Sequence, residues 1–221
     1  MWPEAHSHRS EAQVAYDALA EAYVEWAGTE VGPDTESALD RAVLAAFVED
    51  VVAAGRGAPV ADVGCGPGRV AALMAAAGLD VVGIDLSPTM VEVARRSHPS
   101  IRFEVGSLDR LPFGGASLSG AVCWYSIIHT PPDELAPVAA ELARVLAPGA
   151  PLLVAFQAGS GESIHRDSVA GVAVSLTNVR HDPDAVAGCL EAAGFDVRAR
   201  IIRQPELEHE STPQAFLVAR A

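Results

Sequence analysis

The sequence contains no lysine: all fifteen of its Lys+Arg residues are arginine. That absence excludes Schiff-base chemistry, the lysine of a phosphate-binding P-loop and a lysine general base. Cysteine is sparse, at three residues (Cys65, Cys123 and Cys189), odd in number and widely spaced. Such a pattern supports neither a disulfide framework nor a CxxC metal clip, and a reducing, cytoplasmic setting is expected. No apolar run reaches the roughly 18 residues of a membrane span. Residues 1–11 hold no apolar h-region, so no secretory leader is expected. Basic residues are outnumbered by 29 Asp+Glu, which leaves a formal charge of −14. A chain this acidic lacks the basic face that nucleic acid requires, and anionic membrane surfaces repel it. Metal-ligand clusters are missing as well. His6 and His8 fall in a stretch expected to fray, and His165 and His181 lack a metal-motif spacing, so no metal is expected.

What is present is apolar and periodic. Half of the 221 residues are hydrophobic and 20% are charged, ample for one buried core. Residues 10–54 read as helical, with Val14, Leu19, Ala22 and Tyr23 on one face and Leu39, Val43, Leu44, Phe47, Val48 and Val51 on another. The turn-rich EWAGTEVGPDT lies between them. Short apolar runs at 60–63, 79–84, 101–105, 118–124, 152–156, 195–202 and 215–219 then alternate with helical patterns at 70–77, 90–96, 135–146 and 184–193. Strands alternating with helices imply βαβ units: an α/β fold with three layers and a doubly wound, mostly parallel sheet. Residues 1–221 are expected to form a single domain, with a helical cap over 1–56 and a core over 57–221. Residues 157–183 make a connection longer than usual and polar at both ends, expected to act as a lid.

The strongest local feature is Asp62-Val63-Gly64-Cys65-Gly66-Pro67-Gly68, directly after the first strand and opening a helix. Glycines at such a turn let a ligand rest on bare backbone. Asp85 ends the next strand, where a carboxylate can accept hydrogen bonds from both hydroxyls of a ribose. The spacing is G-x-G-x-G rather than the dinucleotide G-x-G-x-x-G, and Asp62 places negative charge beside the loop. That suits a cationic amino group better than a pyrophosphate. A ligand with ribose, adenine, a sulfonium and an amino acid satisfies both acids, which describes S-adenosylmethionine (SAM).

VADVGCGPGRVAALMAAAGLDVVGIDLSPTMVEVARR resembles the first two motifs of class I SAM-dependent methyltransferases. The following residues to Ala158 resemble strands three to five of that family, the tail resembles its closing hairpin, and VAYDALAEAYVEW resembles the N-terminal helix of its small-molecule branch. The resemblance implies a seven-stranded sheet with a reversed last strand, SAM as methyl donor, and S-adenosylhomocysteine (SAH) as product. It implies that Gly64, Cys65, Gly66 and Gly68 lie under the methionine part, that Asp62 orients its amino group and that Asp85 holds the ribose. Leu86 and Met90 would flank the adenine, with Ser107 and Leu108 hydrogen-bonding it, Ser107 standing where the family usually has Asp. Trp124 would offer its carbonyl to the amino group, and Tyr16 and Tyr23 would close over the cofactor.

Methyl transfer expels a neutral thioether, so positioning and desolvation supply much of the rate, and a base is needed only for a protonated acceptor. His129, after strand four, is the candidate catalytic base; Tyr125 and Ser126 beside it are candidates for the acceptor pocket. In the lid, His165, Arg166 and Arg180 are candidates for binding an acidic acceptor. The expected activity is methylation of a small molecule, with O-methylation favoured, by a monomer or homodimer. An NAD(P)-dependent oxidoreductase and a non-catalytic SAM-binding module are the alternatives.

Overall fold

The computed structural model describes residues 5–221, with side chains from His8 onward. Thus the first four residues of the stretch read for a leader, and the His6 side chain, lie outside the described residues. Two helices come first, α1 (Ala5–Ala27) and α2 (Ala38–Ala54). The start expected to fray is helical from Ala5, and His8 is buried within it. Ser37 begins α2 through a capping box: its hydroxyl accepts from the Asp40 amide while the Asp40 carboxylate accepts from the Ser37 amide. Gly55 ends the helix in the left-handed conformation.

The core follows as β1 (Val60–Val63), α3 (Arg69–Ala76), β2 (Val81–Asp85), α4 (Pro88–Ser97), β3 (Arg102–Val105), β4 (Gly120–Trp124), α5 (Leu135–Val145) and β5 (Pro151–Gln157). After it come β6 (Glu162–Val169), β7 (Val172–Arg180), α6 (Pro183–Ala192), β8 (Asp196–Arg203) and β9 (Gln214–Arg220). The expected strands and helices of the core hold to within two residues at each end. Seven strands pair in the order β3-β2-β1-β4-β5-β9-β8, and β9 runs against the direction of the other six. The last strand is therefore reversed, as expected, and it lies inside the sheet rather than at its edge.

Alternation along each strand feeds two cores. On β1, Ala61 and Val63 pack toward α5 and α6 with Leu142 and Ala187, while Val60 packs toward α2 and α3 with Phe47 and Ala71. Strands buried on both faces need apolar residues at every position, so Asp62, the one acid of β1, stands out. β1 meets α3 at the centre of the sheet, where the strand order reverses, and ligands in open α/β sheets bind outside the carboxyl ends of the strands there.

The lid is a correction. Residues 157–183, expected as a long connection polar at both ends, form for the most part an antiparallel hairpin, β6 with β7, outside the main sheet. Its outer side chains are exposed and polar, which hid a period of two. Its inner face packs on α1 through Leu176, Val172 and Val174.

Candidate functional site

The carboxyl ends of β1, β2 and β4 open into a cavity of about 510 Å³, roofed by α1 and the β6–β7 hairpin. Its floor is the glycine loop. Gly64 has φ +77°, and a Cβ there would sit 2.1 Å from the Ser126 Cβ, so no side chain fits. Gly66 has φ +51° with open space within 4 Å of a hypothetical Cβ, and it lines the cavity. The loop thus offers bare peptide to a ligand. It is pinned from the next strand: Asp85 accepts from the Gly66 amide at 2.8 Å and from the Ser87 amide at 2.9 Å. Each carboxylate oxygen keeps a lone pair for a further donor. Burial pushes the Asp85 pKa up, and the backbone amides pull it back.

Leu86, Met90, Ser107 and Leu108 continue the wall from Asp85. The Ser107 hydroxyl donates to Asp109, whose other oxygen meets Arg9 of α1 at 2.7 Å. Ser107 therefore carries, through Asp109, part of the acidic character that a direct Asp would have, and its oxygen can still accept.

His129 lies on a short 3₁₀ turn after β4 and joins the floor to the roof. Its Nδ1 is 2.9 Å from the Thr177 carbonyl on β7. A carbonyl only accepts, so Nδ1 carries the proton. Nε2 then accepts from the Tyr16 hydroxyl of α1 at 2.8 Å. Burial lowers the His129 pKa to about 4, and it is neutral at pH 7. Desolvation likewise raises the Tyr16 pKa. Tyr125 adopts φ +56°, a left-handed conformation that costs a non-glycine residue about 1–3 kcal/mol. Tyr125, Ser126 and Trp124 line the cavity. The Trp124 ring stacks on Phe216.

Tyr16, Tyr23, Arg166 and the residues just named are brought together. Five expected site residues are not on the cavity wall. Asp62 is one layer behind, with Oδ2 accepting from the Ala71 amide at 2.8 Å and Oδ1 buried without a partner. Burial and the nearby Asp85 raise its pKa to about 7. Cys65 is turned into the α3-side core, where burial raises its thiol pKa. Gly68 is covered by Phe103 and His98. His165 is a correction with a simple cause. Arg166 pairs opposite Leu176 on the inner face of the hairpin, so its neighbour His165 points outward, beside Thr177 and Asp167. Arg180 reaches Ser211 instead.

The sequence reading missed residues that reach the site over long separations. Asp17 of α1 accepts from the Ser87 hydroxyl at 2.5 Å and the Thr89 amide at 3.1 Å, tying the roof to the start of α4. Arg69 lines the cavity with Glu36, 33 residues away. Arg69 directly follows the glycine loop and could have been flagged from that; Glu36 and Asp17 carry no local signal.

Residues 60–149 match the sequence model of a family described as a methyltransferase domain. The chain is 35% identical over 115 residues to malonyl-[acyl-carrier protein] O-methyltransferase of Erwinia billingiae, a match covering 52% of this chain and 44% of that one. It spans less than half the length of such curated relatives. Among solved structures it superimposes on a Burkholderia thailandensis 1,6-didemethyltoxoflavin-N1-methyltransferase holding its acceptor and SAH, with TM-score 0.71 and 19% identity, over all of this chain and 91% of that one. It also superimposes on the [4+2]-cyclase SpnF, with TM-score 0.71 and 18% identity over 96% of each chain. Residues 60–149 are thus similar to a methyltransferase domain, and the fold is the one these solved structures share.

Proposed function

We propose that the protein is a SAM-dependent methyltransferase acting on a small molecule, with O-methylation favoured. The observation that carries this reading is the floor: Gly64 has no room for a side chain, Gly66 opens onto the cavity, and Asp85 braces the loop while keeping free lone pairs. The residues fit SAM. Asp85 would hold the ribose, Leu86 and Met90 the adenine faces, and Ser107 the adenine edge. Asp62, with its unpartnered Oδ1, would charge-balance the amino group from behind the loop. When bound, SAM supplies an electrophilic methyl group on a sulfonium.

This chain's residues position the acceptor and take its proton. Tyr125, Ser126 and His129 line the cavity between floor and roof, with Arg166 the one arginine of the cavity wall that has no ion pair among the described residues. An acidic acceptor is therefore favoured. His129 would receive the acceptor's proton through Tyr16, whose own proton passes to Nε2 as its oxygen takes the acceptor's. The acidic surface favours a small acceptor over nucleic acid. The free cysteines accord with a cytoplasmic setting. Among the described residues no helix is long and apolar enough to cross a membrane.

Since the same fold recurs in a cyclase, binding and transfer need separate tests. Calorimetry with SAH and with NAD should give heat with SAH alone. Incubation with methyl-deuterated SAM and a panel of phenols, carboxylic acids and amines should yield a product heavier by the labelled methyl. Absence of SAH binding overturns the reading.

A further inference from the structure

Three carboxamides, Gln157, Gln214 and Asn178, stand on the cavity wall where β5 ends, β9 begins and β7 nears its end. Alternation along the strands places them. Ala155 of β5 and Phe216 of β9 pack toward α2 and α3, so Gln157 and Gln214, each two residues away, lie on that same face. The two are directly opposite in the ladder, which sets their Cβ atoms about 4.5–5.5 Å apart. On β7, Val172, Val174 and Leu176 pack on α1, and Asn178 continues that inner row with a polar side chain. The His181 amide, just beyond β7, donates to the Gln157 carbonyl at 2.9 Å and so brings the end of the hairpin to the end of β5.

Buried amides are ordinarily hydrogen-bonded, because an unmet donor or acceptor costs folding free energy. These are not. Asn178 is 8% exposed and its Oδ1 has no donor. Gln214 is 2% exposed; its Nε2 donates to the Thr212 carbonyl at 2.7 Å, which fixes the amide's orientation and leaves Oε1 without a donor among the described residues. Half-buried Gln157 makes no side-chain hydrogen bond among the described residues. Two acids of the cavity wall offer no free charge, since Glu36 is closed on Arg69 and Glu210 on Arg203.

The unmet groups describe what would fill them. Two carbonyl oxygens, on Asn178 and Gln214, each call for a donor, and the Gln157 amide nitrogen calls for an acceptor. A hydroxyl supplies one donor, an ester or ketone none, and an ammonium no acceptor. A primary carboxamide supplies two N–H groups and one carbonyl from a single planar edge. We propose that Gln157, Asn178 and Gln214 form a seat for a primary carboxamide carried by the methyl acceptor. This rests on the methyltransferase reading and gives the acceptor a second fixed point besides the acidic group that Arg166 favours.

The test uses the three isomeric hydroxybenzamides as probes. Each is set against its methyl hydroxybenzoate, which keeps the carbonyl and loses both N–H groups, and against its hydroxybenzyl alcohol. Calorimetry on the full chain measures SAH alone, then each probe on the SAH-loaded protein. At least one hydroxybenzamide should bind about tenfold more tightly than both of its counterparts, the loss expected when two hydrogen bonds go unmade. Asn178→Leu and Gln157→Met remove no side-chain hydrogen bond of the folded chain, and each should reduce that preference to within about twofold. Without ligand, Asn178→Leu should also raise Tm by about 2–4 °C, because an apolar side chain of similar size removes an unmet buried group. Binding of no amide, equal binding of an amide and its counterparts, a preference kept by both variants, or a lower Tm for Asn178→Leu overturns the seat. So does loss of SAH affinity together with amide affinity in the variants, which would assign this corner to the donor. A wild type that binds an amide but not SAH overturns the methyltransferase reading and leaves the seat standing.

Discussion

The floor and the roof of the cavity are built by different physics. The floor joins residues close in sequence to the ends of neighbouring parallel strands: Gly64 and Cys65 donate to the Ile84 carbonyl, and Gly66 donates to Asp85. Mainly backbone groups hold it, and it sits on strands buried on both faces. The roof is held by side chains reaching across the sequence: Tyr16 to His129, Arg9 to Asp109, Asp17 to Ser87 and Ser175 to Glu11. Such contacts are few, partly exposed and separately breakable, so the roof belongs to the less stable part of the molecule. Under the proposed function, a rigid floor suits the donor that every turnover would share. A roof of replaceable contacts can open for ligand exchange and be adapted to an acceptor.

The difference is sharpest at the glycines. Gly64→Ala should break floor and fold together, because its Cβ would land on the Ser126 Cβ and its φ is left-handed. Overpacking of about 1–3 kcal/mol adds to backbone strain of about 1–2 kcal/mol. SAH binding should fall by more than 100-fold, and thermal melting should show a clear drop in Tm. Gly66→Ala carries the backbone strain but meets no protein atom, so it should lose SAH binding with a much smaller drop in Tm. Equal melting losses in the two variants would remove the distinction between packing and ligand space.

A change in the roof should act on turnover instead. His129→Ala removes the proton acceptor and the tether between α1 and β7. With an acceptor found by deuterated-methyl transfer, turnover should fall about 100-fold while SAH affinity stays within threefold. Unaltered turnover would reduce His129 to a packing residue. Asp85→Ala belongs to the floor and should show the converse, with SAH affinity weakened by about 1–3 kcal/mol from lost charge-assisted hydrogen bonds. An unchanged dissociation constant would remove Asp85 from the ribose site.

The same division governs what could be read from the sequence. The floor was legible because its signals are local: glycines at fixed spacing after an apolar run, and an acid at the end of the next strand. The seven strands and the reversed last one followed from the family resemblance and not from periodicity, which gives elements but no neighbours; the order of the sheet was not read. The hairpin was missed because one face lies against α1 and the other is polar, so the segment reads as a loop. His165 and Arg166 were both expected in the cavity, and a strand admits only one of two adjacent residues. Tyr16 and His129, 113 residues apart, were each singled out, but nothing in the chain announced that they touch. Asp17 and Glu36 show the limit: an acid on an exposed-looking helix or in a turn gains a role only when distant chain arrives.

Asp62 offers the finest test of the floor, because it bears a cost that a ligand could relieve. Its carboxyl is ordinary near 3.8 but is pushed to about 7 in the folded chain, by burial first and the nearby Asp85 next, against the pull of the Ala71 amide and Arg69. A raised carboxyl pKa favours folding below 3.8 and loses that contribution as pH climbs through 7. Asp62→Asn keeps an acceptor for the Ala71 amide and removes the ionisation, so its Tm should exceed that of wild type at pH 8, with the gain shrinking toward pH 4. At 1.36 kcal/mol per pKa unit the gain is bounded at about 4 kcal/mol. An ammonium group seated nearby would reverse the preference for the protonated form. Wild-type affinity for SAH should therefore rise with pH through 7, and the Asn variant should lose that rise while binding more weakly at pH 8. Parallel pH profiles for the two proteins would show that the unpartnered Oδ1 faces no cation, and the role of Asp62 would shrink to holding α3 against β1.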